Sequence, residues 1–200
     1  MRTAFIYFFA LVVALLLNSC QDHRWEVDTT AYDWDVTLER FDLRLLELSK
    51  GGINEEDYQL LKKEYPDLLP LFVSGIMHFN QASEQETMAA LNQFMQNKDI
   101  SELFLDVQES YKAGSLQNAL DEIDLAFKTF HHYFPERIIP EIGTMVSAFN
   151  YSTVVTDSLL LIGLDMYLGE EYPNYKLAGI PQYKYKNYEK DYIVSDAIKA

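Results

Sequence analysis

The spacing of apolar residues changes character at Pro135, and that switch restricts the chain to folds that join helices to a sheet. Before it, apolar residues recur at steps of three and four, the period of a helix with one buried face. The segment SLQNALDEIDLAFKTFHHYFP shows the pattern most fully. Leu116, Leu120, Ile123, Phe127, Phe130 and Phe134 make one stripe, Ser115 stands in the capping position, and Pro135 limits the end. The stripe is expected to face a core. After it, RIIPEIGTMVSAFNYSTVVTDSLLLIGLDMYLG carries Val, Ile, Thr and Tyr in short runs broken by Gly and Asn, which is strand and turn chemistry.

The earlier helices are legible by the same rule. TLERFDLRLLELSKGG places Leu38, Phe41, Leu45 and Leu48 on one face and stops at Gly51 and Gly52. Asn54 caps NEEDYQLLKKEYP, whose first turn is acidic, and Pro66 ends it. PDLLPLFVSGIMHF reads as another short helix. Ser83 and Glu86 have the spacing of a capping box ahead of Met88, Leu91 and Met95. DISELFLDVQESYKAG repeats the form and stops at Gly114. Strands are expected near Glu141 to Phe149, near Val154 and from Ser158 to Ile162, with a turn at Asn150 to Ser152. The tyrosine- and lysine-rich remainder contains prolines that forbid a long helix until about Ser195. The expected class is α+β: several amphipathic helices followed by a small β-sheet, helix-dominated.

The front of the chain obeys different rules. Arg2 precedes the apolar run AFIYFFALVVALLL, which is shorter than the roughly 20 residues that cross a bilayer as a helix, and NSC follows. Residues 1–19 read as a secretory signal, 20–35 as a polar tether, and 36–200 as one domain; at 48% hydrophobic, the chain has enough apolar residues for such a core. LNSC resembles the lipobox of bacterial lipoproteins, in which a diacylglycerol is attached to the cysteine thiol. Cys20 is the sole cysteine, so it has no disulfide partner in the chain, and it is expected to be the acylated first residue of the mature protein. The formal net charge is −15, and loss of the signal removes Arg2 and no acid. Charge therefore cannot hold the whole chain to anionic lipid or to nucleic acid, and attachment has to come from acyl chains.

Motifs for catalysis are missing from the sequence. It contains no H-E-x-x-H, no G-x-S-x-G elbow and no glycine-rich phosphate loop. His131 and His132 are adjacent, so on a helix they point about 100° apart and serve one metal poorly. They are read as histidines near a helix C-terminus. Asp157 and Asp165 bracket SLLLIGL without a nucleophile, histidine or metal partner beside them. Asp157 is read as capping a turn, and Asp165 as hydrogen-bonded to local backbone at a strand end. The tyrosines at 167, 172, 175, 183, 185, 188 and 192 fit either an extended segment lying over a core or a ligand surface.

LERFD at 38–42, FKTFHHYFP at 127–135, TDSLLLIGLDMYLGEEYPNYK at 156–176 and the closing DYIVSDAIKA resemble the gliding-motility-associated lipoprotein B (GldB-like) family of the Bacteroidota. The string Ile162, Gly163, Leu164, Asp165, Tyr167, Leu168 and Gly169 is its most specific part. The resemblance implies a lipid-anchored envelope protein, needed for gliding and linked to type IX secretion. It would be periplasm-facing and in contact with other envelope proteins of the gliding or secretion apparatus. It also implies longer chains in the family, so that residues 36–200 would lack the family's C-terminal part. Family members look distantly like zinc peptidases, but no residue here supplies those ligands, so no catalytic residue, metal site, cofactor or nucleic-acid partner is expected. A degenerate zincin-like hydrolase and a ligand-binding envelope lipoprotein stay open as alternatives.

Overall fold

The computed structural model describes residues 27–79 and 83–200. The chain divides into two units, Met1–Tyr32 and Asp33–Ala200. In the first, the described part is a single 3-10 turn, Thr29–Ala31, whose Thr30 N–H donates to the Asp28 carboxylate. The second holds the helices and the sheet, and its architecture is helix-dominated α+β.

The helices begin with α1 (Phe41–Ser49) and α2 (Glu55–Glu64). A helical turn Leu68–Pro70 runs into a π-helical turn Leu71–Ile76. Then come α3 (Glu84–Gln96), α4 (Lys98–Ser110) and α5 (Gln117–Tyr133). Among the described residues four strands, β1 (Leu38–Glu39), β2 (Glu141–Met145), β3 (Thr153–Val155) and β4 (Leu159–Gly163), make one sheet in the order β1-β2-β4-β3. β1, β2 and β4 run parallel, and β3 pairs antiparallel on the far edge of β4. The last helix, α6, spans Tyr192–Lys199. Every residue of β4 is buried, as expected of a strand covered on both faces. On the helical side, edge-to-face rings run from Phe41 to Phe72 (centroids 5.1 Å apart), on to Phe94 (6.4 Å) and to Phe104 (6.3 Å).

Asn54 and Asp57 form a reciprocal capping box at the start of α2. Asn54→Ala removes the acceptor for the Asp57 N–H and is expected to cost about 1 kcal/mol in urea unfolding, with the fold retained. Ser83 caps α3 through the Glu86 N–H at 3.2 Å.

Four expectations need correction. Leu38 lies in β1 beside Ile142, and α1 starts only at Phe41. The reason is tertiary: the Arg40 guanidinium grips the Asp42 carboxylate at 2.9 and 2.7 Å, Asp42 also accepts from the Thr144 hydroxyl, and the turn so formed diverts the chain into the sheet. Ser115 does not cap α5. Its N–H closes a turn to the Lys112 carbonyl, and the N-cap position falls to Leu116, whose buried side chain has no group that could bond the helix start. The strand expected to reach Phe149 ends at Met145, since Ala148 and Phe149 turn left-handed at φ 53° and 63°. The α5 stripe is buried only in part: Leu116 and Ile123 are enclosed, whereas Phe130 and Phe134 remain 42% and 47% exposed.

Candidate functional site

The string at 162–169 forms the end of β4 and the 3-10 turn Leu164–Tyr167 behind it. Its residues face inward. Leu164, Asp165 and Tyr167 are wholly buried, and Ile162 and Met166 nearly so. A β-carbon on Gly163 would fall 2.1 Å from the Tyr151 carbonyl oxygen, so only glycine lets the loop after β2 cross the end of β4. Gly163 N–H also donates to the Ser152 carbonyl at 2.8 Å.

Asp165 ties the same loop from below. Its carboxylate accepts from Ser147 N–H at 2.9 Å and from Phe149 N–H at 2.6 Å, and the Ser147 hydroxyl lies 3.3 Å away. These bonds hold the two successive left-handed residues, which are unfavourable for side-chain-bearing amino acids and persist only where partners fix them. Burial pushes the Asp165 carboxyl up to about 6, and the hydrogen bonds from Ser147 and Phe149 oppose that rise without cancelling it.

Tyrosines close the other side of the turn. The Tyr175 hydroxyl donates to the Asp165 carbonyl at 3.1 Å and accepts from Leu168 N–H at 2.9 Å. Tyr111 donates to the Tyr167 carbonyl at 2.5 Å, and Tyr167 donates to Asp196 on α6 at 3.0 Å. Gly169, at φ 105°, bonds the Tyr188 carbonyl. Desolvation raises the hydroxyls of Tyr111, Tyr167 and Tyr175, so all three serve as neutral donors. The tyrosine-rich segment thus lies largely over a core, with Tyr175 and Tyr188 buried and Tyr183 75% exposed.

The remaining sequence candidates do not meet. Asp157 is exposed in the turn before β4, at the opposite end of the strand from Asp165. His131 packs edge-on against Trp34, ring centroids 6.0 Å apart, while His132 contacts Tyr133 in the same manner. Lys128, one turn earlier on α5, bonds Asp35 and Asp124 at 2.8 Å each, so Trp34 and Asp35 dock onto that helix. Among the described residues no group of three or more His, Cys, Asp or Glu side chains is placed to hold a metal. Cys20 lies outside the described residues, and among these no helix is long and apolar enough to cross a membrane.

One open surface is large enough to receive a partner. A groove of about 720 Å³ runs between the C-terminal half of α5, the β3–β4 turn and α6. Phe130, Phe134, Ile138, Val155 and Ile198 line it with substantial exposure, and Asp157 sits on its rim. This surface is invisible in the spacing of residues, because the period of the α5 stripe is unbroken where burial stops.

The family described as "Gliding motility protein GldB" matches residues 22–200. The chain belongs to the GldB family. No match was found among curated proteins or among solved structures. In this GldB family member residues 162–169 therefore hold a buried lock, in which Gly163 and Asp165 fix the loop 146–152.

Proposed function

We propose that this GldB family protein is a lipid-anchored component of the cell envelope that acts by contacting other proteins of the gliding or type IX secretion apparatus. Residues 1–19 serve as the signal, Cys20 carries the acyl chains, residues 20–35 form the tether, and the remainder faces the periplasm as one domain. A diacylated cysteine suffices for stable attachment, because each buried methylene contributes about 0.8 kcal/mol.

The observation that carries the contact reading is the groove beside α5. Phe134 is 47% and Ile198 51% exposed, and both line one apolar depression, whereas scattered single apolar residues would need no explanation. An envelope protein presenting an apolar segment would gain by burying both. Because neither side chain is needed for the core, charge can be placed there without unfolding the domain.

Capture from envelope membranes with the full-length acylated chain tests this reading. The parent is expected to bring down a discrete set of envelope proteins, and the pair Phe134→Asp and Ile198→Asp to lose at least one of them while melting with the parent. Recovery of lipid alone, or an identical protein set from parent and variant, would sink it.

A further inference from the structure

We propose that residues 176–186 form a membrane-seating tip, through which the anchored domain rests on a bilayer surface rich in anionic phospholipid. This rests on the lipid-anchor reading above and adds to it the face that the domain turns toward the bilayer.

The first observation is charge segregation. The chain carries 31 acids against 16 Lys and Arg, yet the stretch from Tyr172 to Tyr188 contains Lys176, Lys184 and Lys186 and no acid. All three lysines are exposed, and none makes an ion pair among the described residues. Lys190, just beyond, is different: it is committed to the Ser110 carbonyl at 2.6 Å and to the face of Tyr111. The nearest acids in sequence, Glu170, Glu171 and Glu189, flank the base of the tip, where Glu189 accepts from Glu170 N–H.

The second is apolar exposure between those lysines. Leu177 is 83% and Tyr183 75% exposed, the highest values among the large apolar residues described. The intervening Ala178, Gly179 and Pro181 are exposed as well. Leucine and tyrosine flanked by lysine is the composition that partitions into the head-group region, with the apolar group entering the acyl boundary and the ammonium groups meeting phosphate.

The third is rigidity. The tip is built from a helical turn, Asn174–Leu177, and a 3-10 turn, Gln182–Asn187. Ile180 N–H donates to the Tyr175 carbonyl at 3.0 Å, the Tyr185 hydroxyl donates to the Ile180 carbonyl at 3.0 Å, and the Tyr175 ring lies 5.6 Å from that of Tyr185. Leu177 and Tyr183 are therefore held out by a packed base, and little ordering entropy is lost on seating.

The overall negative charge does not forbid this. At physiological salt, charges farther than about 8 Å are screened, so acids beyond that range add little to the field the bilayer meets at the tip. Each lysine near an anionic surface contributes a factor of roughly 5 to 6, and the three together about 150-fold in the ratio of seated to unseated domain. An acidic protein surface would read the lysines equally well, but it offers no apolar layer for Leu177 and Tyr183 together. The bilayer is thus the favoured partner.

The test uses the full acylated chain in phosphatidylcholine vesicles with and without phosphatidylglycerol. Leu177→Cys, labelled with an environment-sensitive fluorophore, reports the tip, and Glu56→Cys on α2, also exposed, reports a position outside it. The label at 177 is expected to be shielded from aqueous quencher in vesicles containing phosphatidylglycerol, and the label at 56 to stay open. Adding Lys176→Gln, Lys184→Gln and Lys186→Gln is expected to cut the seated-to-unseated ratio about 150-fold. Floating protein whose position 177 is quenched as readily as position 56 overturns the proposal. So does shielding that survives the lysine replacements, or shielding in solution without vesicles, which would indicate contact with protein. Failure of the anchor reading shows separately, as protein that does not float and takes a second label at Cys20.

Discussion

Gly163→Ala is expected to destabilise the domain by about 4 kcal/mol or more and to lower its melting temperature by roughly 10 °C, if the variant accumulates as folded protein at all. The new methyl would stand 2.1 Å from the Tyr151 carbonyl oxygen, and its neighbour there is backbone, which cannot rotate aside like the end of a side chain. Relief requires the loop after β2 to lift, which would pull Ser147 and Phe149 from the Asp165 carboxylate. Gly51→Ala is the matching control. Nothing lies within 4 Å of a β-carbon at that position, and its melting temperature is expected to equal the parent's. Equal melting of the Gly163 variant and the parent would show that the loop does not press on β4.

Asp165→Ala is expected to cost about 3 to 5 kcal/mol in urea unfolding, because the Ser147 and Phe149 N–H groups lose their acceptor in a dry environment. The acid also leaves a signature in pH. Its folded pKa, raised to about 6 from 3.8, means that the native state holds this proton more tightly than the unfolded chain. The contribution is fully present below about pH 4 and is lost as pH rises through 6, a swing on the order of 3 kcal/mol. Asp165→Asn cannot ionise, yet it retains one acceptor oxygen. Subtracting its stability from the parent's at each pH isolates the carboxyl. The parent is expected to lose ground steadily between pH 4 and 7, and a difference that grows in its favour over that range would refute the buried-acid account.

The helical half was legible because each helix depends on contacts between near neighbours. Asn54 announces α2 through a bond to a residue three places on, and the periodic apolar positions at Leu45, Leu91 and Ile123 are buried in the folded protein. Strand content after Pro135 was equally readable from composition. The failures occurred where distant residues compete with local preference. Leu38 continues the α1 period in sequence, yet it joins Ile142 more than a hundred positions away because Arg40, Asp42 and Thr144 close a turn around it. Asp165 was correctly read as a strand-end acid bonded to backbone, but its partners are not local: they belong to the loop 146–152. Sequence spacing gives no hint of that crossing. Nor does it reveal that Phe130 and Phe134, in perfect step with Ile123, lie beyond the part of the stripe that the core covers.

By itself the sequence determined the class of fold, the positions of most helices, the charge balance and the family, since these follow from composition, short-range spacing and matching strings. The tertiary structure decided what residues 163 and 165 do in the fold. It made Gly163 and Asp165 the lock of a strained loop by bringing residues 146–152 across them, and it left an apolar groove and a lysine-flanked tip exposed. The physical reason is that burial and hydrogen-bond partnership depend on which distant segments meet in space, and local sequence carries no record of those meetings.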